Sequence, residues 1–168
     1  FLAGIFGVLY FNDNAWGAWG DDSAGYIFLA GRMSMGLPLV YTVPIAADGL
    51  QFFGDEKLAR WLTPTHHEFI NPSGMIASKY PIGVSLLMFV VSKLAGTTHA
   101  FYVVTPLLAA LNIVLTYGIG LFFFRRARRR HILSVTAAVM LGLSSLYYHH
   151  AIAQPMREIP SMTFLLFT

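Results

Sequence analysis

Cysteine is absent from the chain, which excludes a disulfide framework and thiol chemistry. Charge is scarce. Asp, Glu, Lys and Arg make up 11% of the residues against 56% hydrophobic, where a soluble domain carries about 25% charged residues. An ordinary soluble domain is thereby excluded, and a membrane protein is indicated. Neither a basic n-region nor a small-residue cleavage site opens the sequence, so no signal peptide is read. Internal repeats and low-complexity segments are also lacking. With "FLAGIFGVLYF" at one end and "IPSMTFLLFT" at the other, the chain reads as a piece of a larger protein.

What is present is strongly segregated. Residues 101–124 run 24 positions without a charge, enough at about 1.5 Å per residue to cross a hydrocarbon core of roughly 30 Å. Residues 132–153 form a second apolar run with Tyr147, Tyr148, His149 and His150 near one end, as at a membrane interface. Between the two lies "RRARRRH", with five of the eleven basic residues in six positions. A nucleic-acid patch is the other reading of an arginine run, but between two spans the positive-inside rule assigns a short basic loop to the cytoplasm. Residue 100 and the segment near 154–159 then lie outside. Seven of the eight acids, from Asp13 to Glu68, share that outer side.

The outer assignment holds provided that 80–92, "YPIGVSLLMFVVS" between Lys79 and Lys93, does not cross. Its length, about 20 Å as a helix, is short of a full span and suits a surface helix over 81–96. The expected order is 1–11 as the end of a first span, 12–99 as an outer loop, 100–124 as the second span and 125–131 as the cytoplasmic loop. A third span follows over 132–153, then a second outer loop over 154–159 and the start of a fourth span over 160–168. The expected fold class is an all-α integral membrane bundle.

Within the outer loop, Trp16 and Trp19 suit an aromatic belt. Asp21, Asp22 and Ser23 open a helix that Gly36 and Pro38 stop, giving a helix near 21–35. Asp22, Tyr26, Ala30 and Met33 share a face at helical spacing. Capping needs one aspartate, so the second is a candidate for chemistry. Residues 34–80 are rich in turn residues and show no long amphipathic period. The "HHE" at 66–68 lacks His-Glu-x-x-His spacing, which argues against a metal site there. Lys79 has a bland reading as a snorkelling lysine, Arg157 and Glu158 as a surface pair.

Taken in order, these segments resemble the N-terminal part of the GT-C fold membrane glycosyltransferases, closest to the protein O-mannosyltransferase and lipid A aminoarabinose transferase-like families. "DDSAGYIFLA" is similar to their first outer-loop motif of Asp-Glu, then Tyr, then Ala, with Asp-Asp in place of Asp-Glu. "SKYPIGVSLLMFVVSKLAG" is similar to the following loop helix, without the Lys-Pro-Pro of the aminoarabinose branch. "FYVVTPLLAALNIVLTYGIGLFFFRRARRR" and "ILSVTAAVMLGLSSLYY" resemble the next two spans, and "AQPMREIPSMTFLL" the short second outer loop.

The resemblance implies a multi-span bundle in a membrane with its active site on the outer or lumenal face; a bacterial cytoplasmic membrane is the expected location, with the endoplasmic reticulum as the alternative. It implies inverting transfer of a sugar from a polyprenyl-phosphate donor to a protein, lipid or glycan acceptor, with no nucleic-acid partner. Asp22 is then the candidate base, with Asp21 second. Tyr26, Lys79, Tyr80, Arg157 and Glu158 are candidate substrate-binding residues, Lys79 and Arg157 for the phosphate. Glu158 could share a Mg²⁺ or Mn²⁺ ion with Asp22; the sequence leaves metal dependence open. A transporter or channel, or a non-catalytic membrane scaffold, is the alternative.

Overall fold

The computed structural model describes residues 1–14, 21–64, 66–152 and 157–168, with the backbone alone of Asp21 and Asp22. The expected aromatic belt of Trp16 and Trp19 lies outside the described residues. Of the described residues 72% are helical, and the chain divides into two compact units, residues 1–18 with 99–168 and residues 19–98.

The first unit is a helical bundle of α1 (Leu2–Asn12), α6 (Val104–Phe123), α7 (Arg130–Leu143), α8 (Ser145–Ile152) and α9 (Glu158–Phe167). Among the described residues one helix, Thr98–Phe123 with its leading 3₁₀ turn, is by itself long and apolar enough to cross a membrane. Only 28% of its apolar window is buried, and Leu107, Val114, Phe122 and Phe123 are exposed. A core helix of a soluble domain would bury most of that surface. The partner helix α7 packs on α6 and α1 through small residues at four-residue spacing. Ser134 and Ala138 are fully buried and Gly142 is buried too. A Cβ on Gly120 would come within 2.9 Å of Ser134, and one on Gly142 within 2.4 Å of Phe6. Such seams let helix backbones approach closely where hydrophobicity supplies no force between helices.

The third span expected over 132–153 is not one continuous helix. It breaks between α7 and α8 with a bend of 62°. The break is satisfied locally: Ser144 is extended and its hydroxyl donates to Leu141 O at 2.9 Å. Tyr148 N donates to Ser144 O at 2.9 Å. Tyr10 donates its hydroxyl to Gly142 O at 3.2 Å, closing one of the orphan carbonyls of α7. Glycine and serine pairs are frequent kink sites, and irregular backbone in an apolar setting persists only when its polar groups are paired. Around this point Phe6, Tyr10, Ala109, Ile113, Ala138, Tyr147, Ala151 and Ile159 form the core.

The second unit corrects the all-α expectation. Helices α2 (Asp21–Ser34) and α5 (Ile82–Ala95) are joined by a region with α3 (Pro44–Phe53), α4 (Glu56–Ala59) and a three-stranded antiparallel sheet. Strands β1 (Val40–Thr42) and β2 (His67–Phe69) flank β3 (Met75–Ser78), pairing Tyr41 and Phe69 with Ile76 and Glu68 with Ala77. The β2–β3 turn is "NPSG": Asn71 Oδ1 accepts from Met75 N at 3.2 Å, and Gly74 takes φ +78°, a left-handed value that favours glycine. Strands of three and four residues are too short to display a period of two in sequence.

α2 and α5 pack against each other. Ser85 donates its hydroxyl to Tyr26 O at 3.0 Å, and Lys93 Nζ reaches Ser34 O at 3.2 Å at the end of α2. Gly36 at φ +68° and Pro38 end α2. At 14 residues, about 21 Å, α5 is shorter than a membrane crossing.

Candidate functional site

Two sequence-predicted residues, Tyr26 and Tyr80, meet at one end of the second unit. Asp21 and Asp22 open α2, and Tyr26 lies one turn further on, 3% exposed. Tyr80 enters from the segment after β3. Its ring centroid is 4.9 Å from that of Tyr26 and 5.2 Å from that of His66. The ring lies directly on Gly25: a Cβ there would fall 1.9 Å from Tyr80 Cε2. The fold therefore brings the first turns of α2 against the residue next to Lys79, 54 positions away in sequence.

Lys79 itself is held by backbone and charge. Its N–H donates to His66 O at 2.9 Å, and its Nζ pairs with Glu68 Oε2 at 3.3 Å, both side chains about half exposed. His66 takes φ +57°, outside the region non-glycine residues prefer. His67 is 3% exposed, and its Nε2 lies 3.3 Å from Tyr41 Oη. Arg32 stacks on the Tyr41 ring at 3.8 Å. Burial raises the Tyr41 pKa above its ordinary 10, and Arg32 acts against it.

Lys79, His66 and His67 line a cleft of about 510 Å³ with Lys57, Arg60 and Trp61. These last three residues were not singled out from the sequence. The signal was present in "DEKLARW": Asp55 caps α4 by accepting from Lys57 N at 2.7 Å, which sets Lys57 and Arg60 on one face at i, i+3. Arg60 pairs with Glu56 at 2.9 Å, both half exposed. Lys57 has no carboxylate partner among the described residues.

Arg157 and Glu158 belong to the first unit. Glu158 begins α9, with Arg157 Nε 4.0 Å from its carboxylate. Glu158 also lines an apolar cavity of about 350 Å³ at the α7–α8 bend, together with Tyr147, His150 and Met162. His150 Nδ1 is buried there without a hydrogen-bond partner. Near the 66–68 triplet the three side chains diverge, His66 to Tyr80, His67 to Tyr41 and Glu68 to Lys79. Among the described residues no three His, Asp or Glu side chains converge as a cation ligand set would. Comparison with protein-family models, with curated proteins and with solved structures gives no match for this chain.

Proposed function

We propose that this protein is a GT-C-type membrane glycosyltransferase, with α1, α6, the bent α7–α8 pair and α9 in a multi-span bundle and residues 19–98 on the outer or lumenal face. It transfers a sugar from a polyprenyl phosphate to a hydroxyl or amide acceptor. The acceptor oxygen or nitrogen attacks the anomeric carbon with inversion as the bond from that carbon to the phosphate oxygen breaks. Asp22 takes the acceptor proton, and the phosphate leaves with the bonding electron pair, its charge balanced by Lys79. Asp21 supports Asp22, and Tyr26 and Tyr80 wall the site.

The observation that supports this reading is the packing of Tyr80 on Gly25 and Tyr26. It brings the helix that begins with the acid pair against the strand end that carries Lys79, as a base and a phosphate cation acting on one glycosyl bond require. The test is transfer from a radiolabelled polyprenyl-phosphate sugar by the purified protein. Asp22→Asn should lose at least about a hundredfold in rate, the general-base share, with folding unchanged. Lys79→Ala should weaken donor use strongly while Lys93→Ala does little. Full activity in both Asp22→Asn and Lys79→Ala would overturn the proposal.

The bend between α7 and α8 favours a second reading, since discontinuous helices mark many transporters. Solute flux in protein-containing liposomes, lost on Glu158→Gln, would identify that class.

A further inference from the structure

We propose that the cleft between α4 and the end of β3 is a docking site for the phosphate of a lipid-borne phosphate ester. The inference deepens the transferase reading and rests on it for the identity of the lipid. Three cations reach the cleft from separate places. Lys57 and Arg60 come from α4 and the 3₁₀ turn after it, and Lys79 comes from the residue after β3. Two of them carry carboxylate partners, Glu56 and Glu68, which do not line the cleft. Those pairs are half exposed, a setting in which an ion pair contributes about 1 kcal/mol or less. They hold the cationic side chains in place and cost little to share with a phosphate, whose oxygens offer stronger charge-assisted hydrogen bonds. The volume of about 510 Å³ lies within the usual range for a small-molecule site.

The second observation concerns what surrounds the charge. Trp61, on the cleft wall, is 87% exposed, and Phe52 and Leu58 of the same short stretch are exposed at 84% and 49%. A solvated polar loop has no physical reason to keep an indole, a phenyl ring and a leucine in water. Lys and Arg interleaved with Trp, Phe and Leu is the composition of a segment that lies at a headgroup boundary, with apolar side chains entering the acyl region and cations holding phosphate. The ligand is therefore a phosphate attached to a hydrocarbon, and not a free sugar phosphate.

The test uses the full chain in phosphatidylcholine nanodiscs, with native mass spectrometry and competition binding against three probes: farnesyl phosphate, phosphatidylglycerol and inorganic phosphate. Farnesyl phosphate should bind at least about tenfold more tightly than inorganic phosphate. Lys57→Ala/Arg60→Ala should weaken it about tenfold or more, the loss of one to two charge-assisted hydrogen bonds, and Lys57→Arg should retain it. Trp61→Ala should weaken farnesyl phosphate and leave inorganic phosphate unchanged. Preference for phosphatidylglycerol over farnesyl phosphate keeps the lipid-phosphate site and makes its source the bulk bilayer. Equal affinity of wild type and Lys57→Ala/Arg60→Ala for every probe, or inorganic phosphate bound as tightly as the lipids, overturns the inference. Failure of the transferase reading is seen separately, as tight lipid-phosphate binding with no sugar transfer. Failure of the cleft alone is seen as transfer that survives Lys57→Ala/Arg60→Ala.

Discussion

Gly25→Ala is the substitution whose outcome is fixed most sharply by the packing around α2. In an exposed helix interior this change stabilises by about 0.5–1 kcal/mol, because alanine loses less backbone freedom on folding. At Gly25 the new methyl would lie 1.9 Å from Tyr80 Cε2 and 2.5 Å from Cζ. The ring has no simple escape, since it is flanked by Tyr26 at 4.9 Å and His66 at 5.2 Å. Overpacking of this kind costs about 1–3 kcal/mol, and each displaced aromatic contact another 0.5–1.5 kcal/mol or so. The net expectation is destabilisation by about 1–3 kcal/mol, or roughly 3–10 °C in the melting temperature of a chain this size. Gly31→Ala is the internal control: it lies in the same helix, with nothing within 4 Å of its Cβ position, and should raise stability slightly. The assay is thermal unfolding of the detergent-solubilised chain followed by near-ultraviolet circular dichroism. In a Tyr80→Ala background the sign should reverse, and Gly25→Ala should become neutral or stabilising. If Gly25→Ala behaves like Gly31→Ala, or is as harmful without the Tyr80 ring as with it, the packing described here is wrong.

Two other consequences can be measured in the same way. Tyr10→Phe removes the donor to Gly142 O at the end of α7 and leaves a carbonyl at the bend unpaired, which should lower stability by about 1–3 kcal/mol; no loss would mean that the bend is satisfied otherwise. Tyr41 is held neutral by burial, with its pKa raised, so its contribution is fully present below pH 10 and is lost as pH rises through the folded-state value. Alkaline unfolding should therefore be less steep in Tyr41→Phe than in wild type, and identical slopes would remove Tyr41 from the account.

The helical parts of this fold were legible where the sequence carries punctuation. The charge-free run at 101–124, the Gly36 and Pro38 stop and the two lysines around 80–92 locate α6, α2 and α5 to within a few residues. The sheet was not legible, because Val40–Thr42 and His67–Phe69 are three residues each and the first pairs with a strand more than thirty positions along the chain. The break at Ser144 had a signal in "GLSS" that a reading by hydropathy passes over, since every residue there is compatible with an apolar window. Of the candidate site, Lys79 stood out because it borders an apolar run. Lys57 and Arg60 did not, because they become neighbours of Lys79 only when α4 and the β2–β3 hairpin fold together.

The account depends most on residues 19–98 and the arginine loop lying on opposite sides of a membrane. Native cysteine is absent, so single cysteines can be read without background. Ser73→Cys and Thr97→Cys lie at exposed positions before and after α5, and Ala127→Cys lies in the basic loop. In intact cells or sealed right-side-out vesicles, an impermeant maleimide should label the first two from outside and Ala127→Cys only after the membrane is opened. Labelling of Ser73→Cys and Thr97→Cys from opposite sides would make α5 a span, and labelling of Ala127→Cys from the same side as Ser73→Cys would contradict the sidedness on which the outer active site rests.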